Sequence, residues 1–194
     1  MIHNDGIKAG IAQKLDYNSI ARKIYLAYPT FAFIDLYELE FEILDAICAK
    51  FNLPINSIQV AGSSKTGYSY HQNRAYKKGE SDLDIAIIDQ QLFLYYCESV
   101  FEITKGFSNL SGFGRTYEKS NHELYGTYIL RGIFRPDLMP KSKLRTDWFD
   151  FFADLSKRYT SLFSSINAGI YLSEYYFETK QSENIELFLN PKQW

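Results

Sequence analysis

The chain has 194 residues, 46% of them hydrophobic and 23% charged, a balance that suits a compact globular protein and excludes a disordered one. Its net charge of −2 excludes polyanion binding through bulk charge, so any nucleotide or nucleic-acid site must be local. Cys48 and Cys97 form no CxxC pair and sit among apolar neighbours, which points to buried thiols in a reducing compartment. No signal-peptide core opens the sequence and no apolar run is long enough to span a membrane, so the expectation is a cytoplasmic protein with no membrane partner.

In chain order, residues 10–27 predict a short helix ended at Pro29. A stronger helix is expected over 31–51, where Phe33, Leu36, Leu39, Ile43, Ile47 and Phe51 recur at steps of three and four. "NLPINS" breaks it, and "SIQVAGS" reads as a short strand ending at Gly62. Residues 82–89 form the next predicted strand, and 90–106 a helix stopped at Gly106. "SNLSGFGRTYEKSN" is loop-like, "HELYGTYILRGIF" suits a helix or a strand, and "RPDLMPKSK" is irregular. From residue 145 the pattern is helical again, with Trp148, Phe151, Leu155, Tyr159 and Leu162 on one face, and "NAGIYLSEYYFETKQSENIELFL" suits a second helix. The fold class is therefore α/β (α+β): a small mixed sheet flanked by helices over residues 1–145, with a helical extension over 146–194 packed on that core.

The chemistry concentrates between Gly62 and Ile88. A strand alternates faces, so Asp82 and Asp84 share one face while Leu83, Ile85 and Ile87 share the other. Two adjacent carboxylates repel, and a divalent cation between them relieves the repulsion. Mg²⁺ favours such a pair, completed by phosphate oxygens and water. The turn before them, "VAGSS", combines a glycine that lets backbone approach a ligand with two hydroxyl donors. It is not a Walker P-loop, because Tyr68 and Ser69 stand where Lys and Ser/Thr are required.

Taken together, Ala61-Gly62-Ser63 followed by Asp82-Leu83-Asp84-Ile85 resembles the nucleotidyltransferase superfamily related to DNA polymerase β. The resemblance implies a nucleotidyltransferase-like sheet and assigns triphosphate binding to Gly62 and Ser63, with Ser64 and Lys65 beside them. It assigns Mg²⁺ (or Mn²⁺) binding to Asp82 and Asp84. It implies transfer of a nucleoside monophosphate from an NTP, as in ATP-dependent members, to an acceptor hydroxyl on a protein, an RNA end, a small molecule or a second nucleotide. Bacterial toxin–antitoxin and anti-phage defence proteins are settings such a short chain resembles. Two departures stand out. The spacer between Ser63 and Asp82 is 18 residues, longer than usual, and carries Lys65, Arg74, Lys77 and Lys78. A third carboxylate on a later strand is not evident among Glu98, Glu102, Glu118, Glu123 and Asp137; Asp137, after an apolar stretch, is the best candidate for a third catalytic acid. Without one, the rival expectation is a weak or inactive module that holds a nucleotide, RNA or a protein partner.

One further segment draws notice. Residues 131–145 hold Arg131, Arg135, Lys141, Lys143 and Arg145 against Asp137 alone, five positive charges to one, a local surplus of +4 suited to phosphate or nucleic acid. "HELYG" lacks the second histidine of a zinc-protease helix.

Overall fold

The computed structural model describes residues 2–116 and 119–190. Its helices are α1 (Ile2–Ala12), α2 (Tyr17–Arg22), α3 (Tyr37–Phe51), α4 (Gly62–Thr66), α5 (Gln90–Ile103), α6 (Asn121–Leu130), α7 (Lys143–Arg158) and α8 (Glu174–Leu189). Its strands are β1 (Ile58–Ala61), β2 (Tyr68–Ser69), β3 (Arg74–Ala75), β4 (Leu83–Ile88), β5 (Arg115–Thr116), β6 (Lys119–Ser120), β7 (Ile133–Phe134) and β8 (Ile166–Tyr171). Four strands make one mixed sheet in the order β1-β4-β8-β7, and β2-β3 and β5-β6 are separate two-stranded ribbons. The architecture is mixed α/β with helices on both sheet faces and a mainly helical C-terminal region, as the sequence pattern predicts.

Period-two alternation decides what each face meets. Ile58 and Val60 of β1 and Leu83, Ile85 and Ile87 of β4 join the larger core with Ile43 and Ile47 of α3, Phe93 and Tyr96 of α5, and Trp148 and Phe152 of α7. The opposite face carries Ala61 and Ala86, which pack with Ile20 and Ala21 of α2 and Phe177 and Ile185 of α8. The abundant aromatic residues fill this interior. Phe134 lies against Phe93, Tyr96 and Tyr125, and Trp148 against Phe51, Tyr96 and Phe152.

The main correction concerns residues 167–189, expected as one helix. Ile166–Tyr171 is instead a strand between β4 and β7, parallel to the first and antiparallel to the second. Gly169 there passes close to the backbone of β7, a Cβ at this position lying 3.5 Å from the Phe134 carbonyl oxygen. Other boundaries shift for local reasons. The helix expected over 31–51 starts at Tyr37, because Phe31–Phe33 forms a 3₁₀ turn and Asp35 takes a positive φ of 62°. The helix expected over 10–27 divides into α1, α2 and a π-helical turn at Lys23–Ala27, with Asp16 capping α2 through its bond from the Ser19 amide (2.9 Å). Asp89, expected at the end of a strand, caps α5 by accepting from the Leu92 amide at 2.7 Å. The segment open to helix or strand resolves into both, α6 then β7.

Among the described residues no helix is long and apolar enough to cross a membrane. Both cysteines are free thiols, Cys48 buried and Cys97 half-buried.

Candidate functional site

The site grows from the junction of β1 and β4. Ala61, the last residue of β1, pairs across the ladder with Asp84, so the chain leaves β1 directly beside that carboxylate. Gly62 follows with a φ of 64°, in the left-handed region that glycine adopts without strain. A Cβ at Gly62 would also overlap the Asp84 Oδ2 and stand 3.2 Å from its carboxyl carbon. Two independent constraints thus call for glycine here.

Asp82 and Asp84 occupy different surroundings. Asp82 precedes β4, and its Oδ1 accepts from the Ser164 hydroxyl at 2.7 Å and the Ser165 hydroxyl at 2.8 Å, both on the approach to β8. Asn167 donates to the same Ser165 hydroxyl at 2.7 Å and pairs with Asp84 in the parallel ladder. The row across the sheet is therefore Ala61, Asp84, Asn167. Among the described residues no hydrogen-bond donor meets the Asp84 carboxylate. Asp84 keeps solvent access but is crowded by protein; loss of surrounding water, and then the charge of Asp82, push its carboxyl up to about 6.

Two cavities share Asp84, Gly62 and Asn184 in their walls. The smaller, about 190 Å³, is lined by both aspartates, Ser63, Ser69, His71 and Arg74. The larger, about 560 Å³, extends toward α6, α7 and α8.

The expected site residues do not all converge. Gly62, Ser63, Asp82 and Asp84 come together on one cavity wall. Ser64 is fully buried behind it, its hydroxyl donating to the Asp82 carbonyl oxygen, so it braces the turn instead of facing the cleft. Lys65 is also buried and absent from either wall. Its ammonium donates to the Tyr28 carbonyl oxygen at 2.7 Å, and burial pulls its pKa down to about 8. Of the spacer cations Arg74 reaches a cavity, while Lys77 pairs with Glu80 at the surface.

Asp137 lines the larger cavity, but from a 3₁₀ turn at Pro136–Leu138 and not from a strand. Arg135 holds its carboxylate in a two-point pair, Nε to Oδ1 at 3.1 Å and Nη2 to Oδ2 at 2.6 Å. Among the described residues no three His, Cys, Asp or Glu side chains gather as a metal-holding group, so Asp137 does not join the aspartate pair. Glu118 lies outside the described residues. The basic surplus over 131–145 is also offset by acids elsewhere in the fold: Arg131 pairs with Glu183, and Lys143 with Asp147.

Asp82 and Asp84 fit a hard cation. The donors are all oxygen, Asp84 has no hydrogen-bond donor among the described residues, and a bound divalent ion would offset both the burial and the Asp82 charge that push its carboxyl up. Mg²⁺ or Mn²⁺ would be held by these two carboxylates. Sequence reasoning missed Ser164, Ser165 and Asn167, whose run "SSIN" carries no signal until β8 is placed beside β4. No protein-family model, curated protein or solved structure matches this chain.

Proposed function

We propose that the chain is a Mg²⁺- or Mn²⁺-dependent nucleotidyltransferase that moves a nucleoside monophosphate from an NTP to an acceptor hydroxyl. The observation that carries this reading is the seating of Asp84 against Gly62, with Asp82 and Ser63 on the same cavity wall. A bound divalent ion supplies charge neutralisation for the phosphates. Asp82 and Asp84 hold it, and the two serine hydroxyls fix the Asp82 carboxylate. Ser63 and Arg74 offer donors to phosphate oxygens along the smaller cavity. The acceptor oxygen bonds to the α-phosphorus, the α–β bridging oxygen takes the electron pair, and pyrophosphate leaves while the hydroxyl proton is released. Catalysis here is positioning and charge neutralisation.

The test is incubation with each α-labelled NTP and Mg²⁺ or Mn²⁺, beside an Asp82→Ala, Asp84→Ala double variant. Metal-dependent pyrophosphate release and label transfer are expected from the natural chain and absent from the variant. Equal turnover by both would sink the reading. The serines make a second prediction. Replacing Ser164 and Ser165 together by alanine removes both hydroxyl donors to the Asp82 carboxylate. The Mg²⁺ concentration for half-maximal turnover is expected to rise about tenfold, on the order of one charged hydrogen bond. An unchanged Mg²⁺ titration would show that the serines do not position Asp82.

A second reading has its own support. Beside Asp84 on β8 stands Asn167 and not a carboxylate, and Asp137 is held by Arg135. A module with this site would bind NTP and Mg²⁺ without turnover, a result the same incubation, followed by a binding titration, distinguishes.

A further inference from the structure

The two cavities that meet at Asp84 differ in chemistry as well as size. The smaller offers hydroxyls, Arg74 and the aspartates, a lining for phosphate and cation, and at about 190 Å³ it is too small for a whole nucleotide. The larger, about 560 Å³, falls in the range that takes a small molecule. Both cations in its wall are already paired, Arg135 with Asp137 and Lys180 with Glu183 at 2.5 Å. That lining suits an uncharged ring better than another phosphate.

We propose that the larger cavity is a nucleobase subsite, with Gln181 and Asn184 of α8 reading the ring edge and Phe149 and Arg135 covering its faces. This assignment rests on the nucleotidyltransferase reading and deepens it. The carboxamides are oriented by their own bonds. Asn184 Nδ2 donates to Gln181 Oε1 at 2.9 Å and to the Tyr25 hydroxyl at 3.3 Å. That commits the Gln181 oxygen and the Asn184 nitrogen. The Gln181 nitrogen is left to donate and the Asn184 oxygen to accept, a donor beside an acceptor, which is how the hydrogen-bonding edges of bases are read. Gln181 is buried, with only 3% exposure, so its choice of partner carries weight. The Arg135 guanidinium lies over the Tyr128 ring at 4.8 Å and is held by Asp137, and Phe149 is partly exposed, with the Arg145 guanidinium 4.7 Å from the centroid of its ring. Guanidinium planes and aromatic rings both stack on bases. Because Asp84 and Gly62 belong to both walls, one nucleotide can lay its phosphates in the smaller cavity and its ring in the larger. The ring could equally be that of a nucleotide acceptor; the chemistry of the subsite is the same.

The test is calorimetric titration of the natural chain with the α,β-methylene analogues of ATP, GTP, CTP and UTP, and with inorganic tripolyphosphate, all with Mg²⁺. At least one analogue is expected to bind about tenfold or more tightly than tripolyphosphate, and the four to differ among themselves. Gln181→Leu should level the four bases to within about twofold and leave tripolyphosphate affinity unchanged. Phe149→Ala, at a partly exposed position that tolerates truncation, should weaken every analogue about tenfold without weakening tripolyphosphate, and carries the test should Gln181→Leu fail to fold. One site per chain assigns the subsite to the donor's base; two sites, of which Gln181→Leu removes one, assign it to an acceptor's. Tripolyphosphate binding as tightly as every analogue overturns the subsite while leaving metal-dependent turnover standing. Binding of none of the five, with no turnover, removes both readings.

Discussion

Gly62→Ala is expected to cost stability and to remove most turnover, and the two losses should have separable causes. The first is backbone. Gly62 holds a φ of 64°, and an alanine there is strained by about 1–2 kcal/mol. The second is contact. The new Cβ would overlap the Asp84 Oδ2, so either the carboxylate turns away from its place or β1 and β4 separate at the Ala61–Asp84 pair. A double-mutant cycle isolates the second term. In an Asp84→Ala background the overlap is gone and only the backbone cost remains. Urea unfolding of the four proteins should therefore show Gly62→Ala costing about 1 kcal/mol less when Asp84 is already alanine. Simple additivity would mean that the close approach of turn and carboxylate is not energetically felt. Turnover of Gly62→Ala should fall about a hundredfold or more, because the displaced group is the one proposed to hold the metal.

Asp84→Asn carries the second large effect, and here stability and activity should move in opposite directions. The carboxyl of Asp84 is raised to about 6, above the usual aspartate value of the unfolded chain. The folded state thus binds this proton more tightly than the unfolded state. Its contribution favours the fold at low pH, declines as pH rises from about 4 through about 6, and stays low above that. An asparagine cannot ionise and escapes the decline. Above pH 7 Asp84→Asn should therefore melt about 2 °C or more higher than the natural chain in metal-free buffer, the solvent access of Asp84 keeping the gain to about 1 kcal/mol. At pH 4 the two should coincide. Added Mg²⁺ should raise the Tm of the natural chain and not that of the variant, while turnover in the variant falls about a hundredfold or more. A variant less stable than the natural chain at pH 8 would show that Asp84 is held by a favourable partner, contrary to its surroundings.

These expectations converge on one design. Asp82 is anchored by two hydroxyls, whereas Asp84 is crowded and, among the described residues, meets no donor, beside a glycine that gives it room. A fold gains no stability from such an arrangement, and carboxylates kept at this cost are a hallmark of sites that bind something.

What was legible in the sequence is what local rules control. Alternation along "SDLDIAII" placed Asp84 on the face opposite Leu83, Ile85 and Ile87, and the order of strand, glycine turn and second strand follows from turn chemistry and apolar runs. A small mixed sheet with flanking helices was legible at that level, with β1 and β4 as its placed strands. What lay beyond it depends on residues far apart in the chain. "INAGIYL" has two small residues and no strong strand preference, and it becomes a strand because β4 and β7 supply hydrogen bonds on both sides. That placement alone delivers Ser164 and Ser165 to Asp82, 82 and 83 residues away, and sets Asn167 beside Asp84. The same holds for charge. Lys65 sits in a polar loop, yet packing turns it inward to the carbonyl of the distant Tyr28. Asp137 is the local exception, its oxygens taken by Arg135 only two residues earlier. The sequence by itself determined the strand that carries the aspartate pair and the turn that approaches it, because side-chain alternation and backbone sterics act over a few residues. Only the tertiary structure decided which hydroxyls, amides and cations surround that pair, because strand order and desolvation are set by contacts between distant parts of the chain.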